Sequence, residues 1–165
     1  MRHALLIIGL VSTLAPAETV AEPARVQAEG VSFVAPSGWA AQPENKRYLA
    51  PDVPKDESCY IAIMPTVPLK GHSPEDVFTL LQEPNEVVSD TGVLTAKTKT
   101  GHVSLSEEKV VLHGKRIWRG YYSVVQDGHL AGLLLSATTE PLFTKSMAAA
   151  RALRESMQLV KAAKP

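Results

Sequence analysis

The chain has 165 residues, and its 17 lysines and arginines are balanced by 17 aspartates and glutamates. This length predicts one domain with an ordinary core, and zero net charge argues against nucleic-acid binding, which needs a basic surface to displace phosphate counterions. A single cysteine excludes an intramolecular disulfide and a multi-cysteine zinc site, and a 5% aromatic content argues against a stacking platform for single strands or glycans.

The first residues have the pattern of a Sec-type signal peptide. Arg2 gives a positive start, residues 4–14 form an apolar run, and small residues follow. The run is too short for a bilayer span, which takes about 20 residues. Cleavage after Ala21, with Ala17 as the other possible site, predicts a single domain at 22–165 that is exported to a bacterial periplasm or secreted. No later run approaches a span, so we expect no integral membrane segment after cleavage.

Strand signals dominate the next part of the chain. After a polar lead-in at 22–29, apolar residues alternate with the period of two that is typical of strands. Proline cannot donate to a ladder, so we expect the third strand to end at Pro65, with Pro68 beyond it. Cys59 lies in that strand among apolar residues, which predicts a buried thiol without a reactive role. The predicted strands are residues 31–35, 46–50 and 58–64.

A short helix is predicted to follow. Ser73 can cap its first turn, Pro74 suits the first helical position, and Asp76 has the spacing of a capping box. The helix should end near Glu83, because a proline follows. Residues 86–100 are rich in threonine and valine and are predicted to be extended. The expected apolar face of the helix consists of Val77, Phe78, Leu80 and Leu81.

An antiparallel meander is predicted at residues 103–112, 115–125 and 129–138, with a glycine in each connecting turn. The last of these strands is apolar on both faces, so elements must cover the sheet on both sides. A long C-terminal helix is predicted at 140–160, with Thr139 as its cap. Its apolar stripe, at spacings of three and four residues, consists of Phe143, Met147, Ala150, Leu153, Met157 and Val160.

These elements predict an α+β fold. It is a three-layer α/β/α sandwich around a mainly antiparallel sheet, with the short helix after the first strands and the long helix at the C-terminus.

The residues 31–39, Val-Ser-Phe-Val-Ala-Pro-Ser-Gly-Trp, form an apolar strand followed by Pro-x-Gly-Trp. Together with the closing strand and helix from Leu133 to Met157, this order resembles the PsbP-like superfamily, which includes exported bacterial proteins and a nuclear-import factor of the same fold. The resemblance implies an α/β/α sandwich that acts as a binding or assembly module. It supplies no shared catalytic residue to carry over.

The common catalytic signatures are absent from the sequence. The sequence has no Gly-x-Ser-x-Gly, no His-Glu-x-x-His and no phosphate-binding loop, so we expect neither an enzyme nor a cofactor. His102, Asp127 and His129 are weak metal candidates, because the meander places both histidines at one end of the sheet. Two strand spacings of about 4.8 Å separate them, which is long for a shared ion, so we expect turn residues and no metal site.

Two further groups are candidates for function. Glu107 and Glu108 are neighbours on a strand and point to opposite faces, so they cannot form a carboxylate dyad, and we expect them to be solvated or paired with lysines such as Lys109. Arg119 lies between apolar positions near Tyr121. We hypothesise that Trp39, Arg119 and Tyr121 border a groove for a ligand or partner; the alternative is that the aromatic residues only build two half-cores.

The sequence thus favours an exported, non-enzymatic binding or assembly module with an unknown protein or small ligand as its partner. Two alternatives remain. One is a periplasmic hydrolase or metalloprotein whose residues are assembled by the fold, and the other is an inhibitor or immunity-type factor for an exported toxin. A deep pocket with converging polar groups would favour the enzyme, whereas an apolar patch would favour the binding module.

Overall fold

The computed structural model describes residues 24–83 and 86–160. The predicted signal peptide, residues 1–21, lies outside them. Within the described ranges, eight strands form one antiparallel sheet: β3 (Ala40–Gln42), β4 (Arg47–Leu49), β5 (Cys59–Pro68), β6 (Glu86–Asp90), β7 (Leu94–Lys97), β8 (Val103–His113), β9 (Lys115–Gln126) and β10 (His129–Ala137). Their spatial order is β3-β4-β5-β10-β9-β8-β6, and β7 pairs with β8 beside β6. The predicted meander and the extended segment at 86–100 are confirmed.

A small second sheet was not predicted. It consists of β1 (Arg25–Ala28), β2 (Val31–Val34) and β11 (Gln158–Leu159), with β2 in the centre and both pairings antiparallel. The lead-in predicted at 22–29 therefore contains a strand. Its turn to β2 uses Glu29 and Gly30 with φ of 52° and 82°, and two left-handed residues match the twist of a tight hairpin.

Two helices cover opposite faces of the large sheet. The helix α2 (Glu140–Ser156) packs on β9 and β10 together with the small sheet, and α1 (Pro74–Leu80) packs on β8 and β10. Leu133 and Leu135 of β10 belong to the α2-side core, whereas Leu130 belongs to a smaller α1-side core. The predicted α+β sandwich is confirmed, because β10 is buried on both faces.

The C-terminal helix is shorter than predicted. It ends at Ser156 instead of Val160, and the following residues pair with β2 as β11. Met157 is nevertheless buried, with 3% of its surface exposed. The spacing of three from Met157 to Val160 continues the helical pattern, but the pairing of Gln158 and Leu159 with β2 ends the helix. Thr139 is at the N-cap position, but its hydroxyl donates to Glu57 at 3.1 Å and does not cap the helix.

The prediction that β5 ends at Pro65 is wrong. The strand continues to Pro68, and its register against β10 shifts between Leu130 and Gly132. An extra residue of β5 is accommodated there as a bulge, and a bulge is one of the few places where a strand tolerates proline.

The start of α1 agrees with its sequence signals. The Ser73 hydroxyl accepts a bond from the amide of Asp76 at 3.1 Å, as a capping residue should. The helix ends at Leu80, before the predicted end at Glu83. With only seven residues it buries Val77 and Phe78, and Leu80 is 83% exposed, so its predicted place on the apolar face is wrong.

Candidate functional site

The loop between β2 and β3 positions Trp39. The amide of Trp39 donates to the carbonyl of Pro36 at 3.3 Å, and Gly38 has a φ of 78°, which glycine adopts without steric cost. This turn directs the indole against the α2-side core, where it is half-buried. The indole thereby lies between the small sheet and the β3–β4 end of the large sheet.

An apolar cavity of about 330 Å³ lies beside Trp39, and we call it the Trp39 groove. Tyr48 and Ile63, both buried, form its floor. Its walls include residues of β1 and of β3. The strand β1 is at one edge of the small sheet, and β3 is at one edge of the large sheet. The volume is within the range of roughly 300–1,000 Å³ that is typical of small-molecule sites. Twelve residues line the groove: Val26, Gln27, Ala28, Ala35, Trp39, Ala41, Gln42, Pro43, Lys46, Arg47, Tyr48 and Ile63.

The charged residues that border the groove have partners in the protein itself. Lys46 forms an ion pair with Glu29 of the β1–β2 turn, whose carbonyl oxygen accepts a bond from the Thr66 hydroxyl at 2.6 Å. The guanidinium of Arg47 lies 4.4 Å from the centre of the Tyr60 ring. Because the charge of Lys46 is matched by Glu29 and most of the lining is apolar, the groove suits an apolar group.

Arg119 and Tyr121 belong to a different site, the α1-face charge cluster, which also includes Glu107 and Lys109. Strand alternation directs these four side chains of β8 and β9 toward α1. Lys109 Nζ lies 2.7 Å from Glu107 Oε2 and 5.3 Å from the centre of the Tyr121 ring. Arg119 donates to Glu83 at 2.7 Å and to the Tyr121 hydroxyl at 3.4 Å. All four side chains are buried or nearly so, and buried charges require such pairing.

The large sheet separates this cluster from Trp39. Trp39 packs on the α2-side core and Tyr121 belongs to the α1-side core, so the three residues hypothesised to border one groove do not meet. Arg119 and Tyr121 do contact each other. Burial opposes the charge of Arg119, but its bonds to Glu83 and Tyr121 outweigh that effect and raise the pKa of Arg119.

A second polar cluster lies on the α2 face of the same strands. Glu108 Oε1 accepts bonds from the Tyr122 hydroxyl at 2.9 Å and from Arg151 at 2.8 Å. Glu107 and Glu108 thus point to opposite faces, as predicted, and Glu107 is paired with Lys109. Burial, together with the neighbouring Glu108 carboxylate, raises the pKa of Tyr122.

The histidine end of the meander is placed by strand register. Val103 pairs with Val125 and Gln126 pairs with His129, so His102 and His129 lie at the same end of the sheet. His129 Nδ1 is 2.9 Å from the carbonyl oxygen of Asp127, and the amide of His102 donates to Thr98. Across the described ranges, no three histidine, cysteine, aspartate or glutamate side chains are close enough to hold a metal ion.

Cys59 is buried at the start of β5, as predicted, with 2% of its surface exposed. Its Sγ lies 3.1 Å from the Ser146 hydroxyl of α2. Burial raises the pKa of the thiol, against a smaller opposite effect of the Ser146 bond, and a protonated thiol is a poor nucleophile.

Of the residues that line the groove, only Trp39 was predicted from the sequence. Ala28, Ala35 and Ala41 leave the space that the groove occupies, and they come from three separate segments. The only local signal was the Pro-x-Gly-Trp turn that delivers Trp39.

Comparison with known proteins identifies the fold. No protein-family model and no curated protein matches the chain. LpqN, described as involved in cell envelope biogenesis of Mycobacterium tuberculosis, aligns with a TM-score of 0.54 and 15% identity over 79% of this chain and 83% of its own. The two chains therefore share a fold.

Two further solved structures match with lower TM-scores. The cyanobacterial PsbP of Synechocystis sp. PCC 6803 aligns with a TM-score of 0.48 and 16% identity, over 89% of this chain and 99% of its own. PA94 of Pseudomonas aeruginosa, a protein of unknown function, aligns with 0.45 and 12%, over 86% and 98%. No helix in the described part of the chain is long and apolar enough to cross a bilayer.

Proposed function

We propose that this protein is an exported, non-enzymatic binding module that holds an uncharged apolar ligand in the Trp39 groove. The observation that carries the proposal is the groove itself, an apolar cavity of about 330 Å³ with an indole at its side and a lining lysine that is paired with Glu29. Such a cavity, with few polar groups, is typical of small-molecule sites.

The polar clusters of the fold support this choice, because they are engaged in holding the fold together. In the α1-face charge cluster Lys109 binds Glu107 and Arg119 binds Glu83, and in the second polar cluster Glu108 binds Arg151 of α2. Glu108 also borders a polar cavity of about 270 Å³ that Ser89, Thr91, Glu140 and Thr144 help to line, but its carboxylate is already bonded to Tyr122 and Arg151.

The size of the groove favours a small molecule over a protein. Twelve residues line it, whereas a standard protein interface uses about 20–30 residues on each side. A docked protein would have to extend well beyond the groove, onto the exposed strands β1 and β3.

Filling the groove tests the proposal. Ala41 lines the groove, and its neighbour Ala40 on the same strand does not; both are exposed. We expect Ala41→Phe to abolish binding of a neutral apolar dye such as Nile red, and Ala40→Phe to leave it unchanged. The measurement is dye fluorescence titrated with each purified protein, with circular dichroism to check that the fold is intact.

Equal binding by the two variants would contradict the proposal, because the dye would then sit elsewhere. A wild-type protein that binds no dye would also contradict it. Loss of a protein partner from pull-downs with both Ala41→Phe and Ala40→Phe, without any dye binding, would point to a docking surface along β3 instead.

Export rests on the pattern of residues 1–21 and has its own test. N-terminal sequencing of the periplasmic or secreted protein should begin at Glu22, or at Glu18 if cleavage follows Ala17. An intact Met1 in that fraction would contradict the signal-peptide assignment.

A further inference from the structure

A second apolar cavity adjoins the Trp39 groove. It has a volume of about 400 Å³ and lies between the loop after β2 and the C-terminal half of α2. Ala35 lines both cavities, so they lie side by side along this loop. We call the second cavity the α2 cavity; Val34, Pro36, Ala149, Ala152 and Leu153 are among its lining residues.

We propose that the two cavities together bind one linear hydrocarbon chain, such as the acyl chain of a neutral lipid, which passes Ala35 from one cavity to the other. This inference rests on the proposed function and names its ligand class. The placement supports it, because two apolar cavities that share one small lining residue, Ala35, suit a long and narrow ligand better than a compact ring system.

The charges at the ends of this path agree with an uncharged chain. At the Trp39 groove the only lining lysine, Lys46, is already paired with Glu29, and the other lining cation, Arg47, stacks on Tyr60. The residues that line the α2 cavity carry no charge. A cationic group buried on this path would meet no carboxylate among these lining residues and would lose its hydration, which costs several kcal/mol, whereas an anionic group could reach only the exposed Arg47 at the border of the groove.

The border of the groove is held in place by the fold. The carbonyl of Glu29 accepts bonds from the amide and the hydroxyl of Thr66, and the carbonyl of Lys46 accepts from the amide of Ile63. The Glu29–Lys46 ion pair therefore joins two anchored backbone segments, at one border of the Trp39 groove. A chain that fills the groove then has the α2 cavity, beyond Ala35, as its apolar continuation.

Chain length is the variable that tests this inference. We would titrate the full-length protein with monoacylglycerols of octanoyl, decanoyl, dodecanoyl and hexadecanoyl chains, each below its micelle concentration, and follow Trp39 fluorescence in a Trp118→Phe background. These are the two tryptophans of the chain. We expect affinity to rise by about fourfold for each buried methylene, and to level off when both cavities are full.

The matched variants are Ala152→Phe and Ala148→Phe. Both alanines are exposed on α2, and only Ala152 lines the α2 cavity. Ala152→Phe should keep octanoyl binding and remove the gain from longer chains, whereas Ala148→Phe should behave as the unsubstituted protein.

The outcomes separate the two proposals. If Nile red and octanoylglycerol bind but affinity does not rise with chain length, or if Ala152→Phe leaves the length dependence unchanged, the linear-chain inference is overturned and the Trp39 groove stands as a site for compact ligands. If none of the ligands binds, the proposed function fails as well. Tighter binding of a dodecyl sulfate or dodecyltrimethylammonium ion than of dodecanoylglycerol would overturn the uncharged ligand class.

Discussion

The substitution Gly120→Ala tests how Tyr122 holds the carboxylate of Glu108 on the α2 face of the large sheet. Gly120 pairs with Glu108 across β8 and β9, and the ring of Tyr122 lies back over it. A Cβ on residue 120 would lie 2.7 Å from both Cε2 and Oη of Tyr122, a distance that real Cβ atoms do not show. The ring must move, and the Tyr122 hydroxyl then loses its bond of 2.9 Å to Glu108.

The expected loss follows from three contributions. Overpacking costs about 1–3 kcal/mol, and a lost hydrogen bond to a charged acceptor about 1.5–3 kcal/mol. Replacing a glycine by alanine within a strand raises the free energy of unfolding by about 0.5–1 kcal/mol, which offsets part of this loss. We therefore expect Gly120→Ala to lower the free energy of unfolding by about 1.5–5.5 kcal/mol, a large part of a typical stability of about 5–15 kcal/mol.

The assay is urea denaturation of four proteins: the wild type, Gly120→Ala, Tyr122→Leu and the double variant. With leucine at position 122 the ring is gone, so adding the Cβ at Gly120 should be neutral or slightly stabilising. The double-mutant cycle should then give a coupling energy above about 1 kcal/mol, with unchanged denaturant slopes. An equal cost of Gly120→Ala in both backgrounds, or no cost in the wild type, would refute the steric argument.

Three further predictions concern single side chains. Burial raises the pKa of Tyr122 above its ordinary value of 10. The protonated Tyr122 hydroxyl therefore contributes fully to stability below pH 10, and this contribution declines as the pH rises further. We expect Tyr122→Phe to flatten this alkaline decline in the free energy of unfolding. Cys59 should react slowly with a thiol reagent in the native protein and rapidly in denaturant, and fast native labelling would contradict its burial. Met157→Asp places an unpaired carboxylate in the α2-side core and should lower the thermal midpoint sharply, whereas Lys145→Asp, on the exposed face of α2, should change it little.

The elements with strong local signals were predictable. Ser73 and Pro74 marked the start of α1, and Gly114 and Gly128 marked the turns of the meander, because each signal acts through its own backbone bonds or φ angle. The exceptions are residues whose structure depends on a distant partner. Pro65 remains within β5 only because a bulge against β10 accommodates it.

The small sheet shows the same limit more clearly. Residues 25–28 look like a polar lead-in, since Val26 and Ala28 are the apolar positions and are spaced by polar residues. They form a strand because β2 offers its free edge, and β11 forms on the other edge of β2 after α2 has ended. The pairing of β11 with β2 is decided by backbone groups far apart in sequence, which no local pattern records, whereas the β1–β2 hairpin has local signals in its alternation and in Gly30.

Arg119 illustrates why a charge among aromatic residues is a poor guide to a ligand site. Alternation along β9 places it on the α1 face, where a guanidinium can be buried only if it is paired. Its contacts with Glu83 and Tyr121 meet that need within the fold. The sequence pattern around Arg119 therefore reflects the cost of burying its own charge, and the residues that build a cavity must be sought where side chains are small.

The Trp39 groove is lined in part by such small side chains. It exists because Ala28, Ala35 and Ala41 stand opposite Trp39 and Tyr48, where larger apolar side chains would fill the space and bury more surface. Packing alone favours filling such a space, because burying apolar surface stabilises the fold. Ala41→Phe should consequently keep or raise the free energy of unfolding while it removes ligand binding. That combination would indicate that the alanines are retained for the ligand and not for the fold; a variant that loses both stability and binding would indicate instead that the groove is part of the packing of β3 and β4.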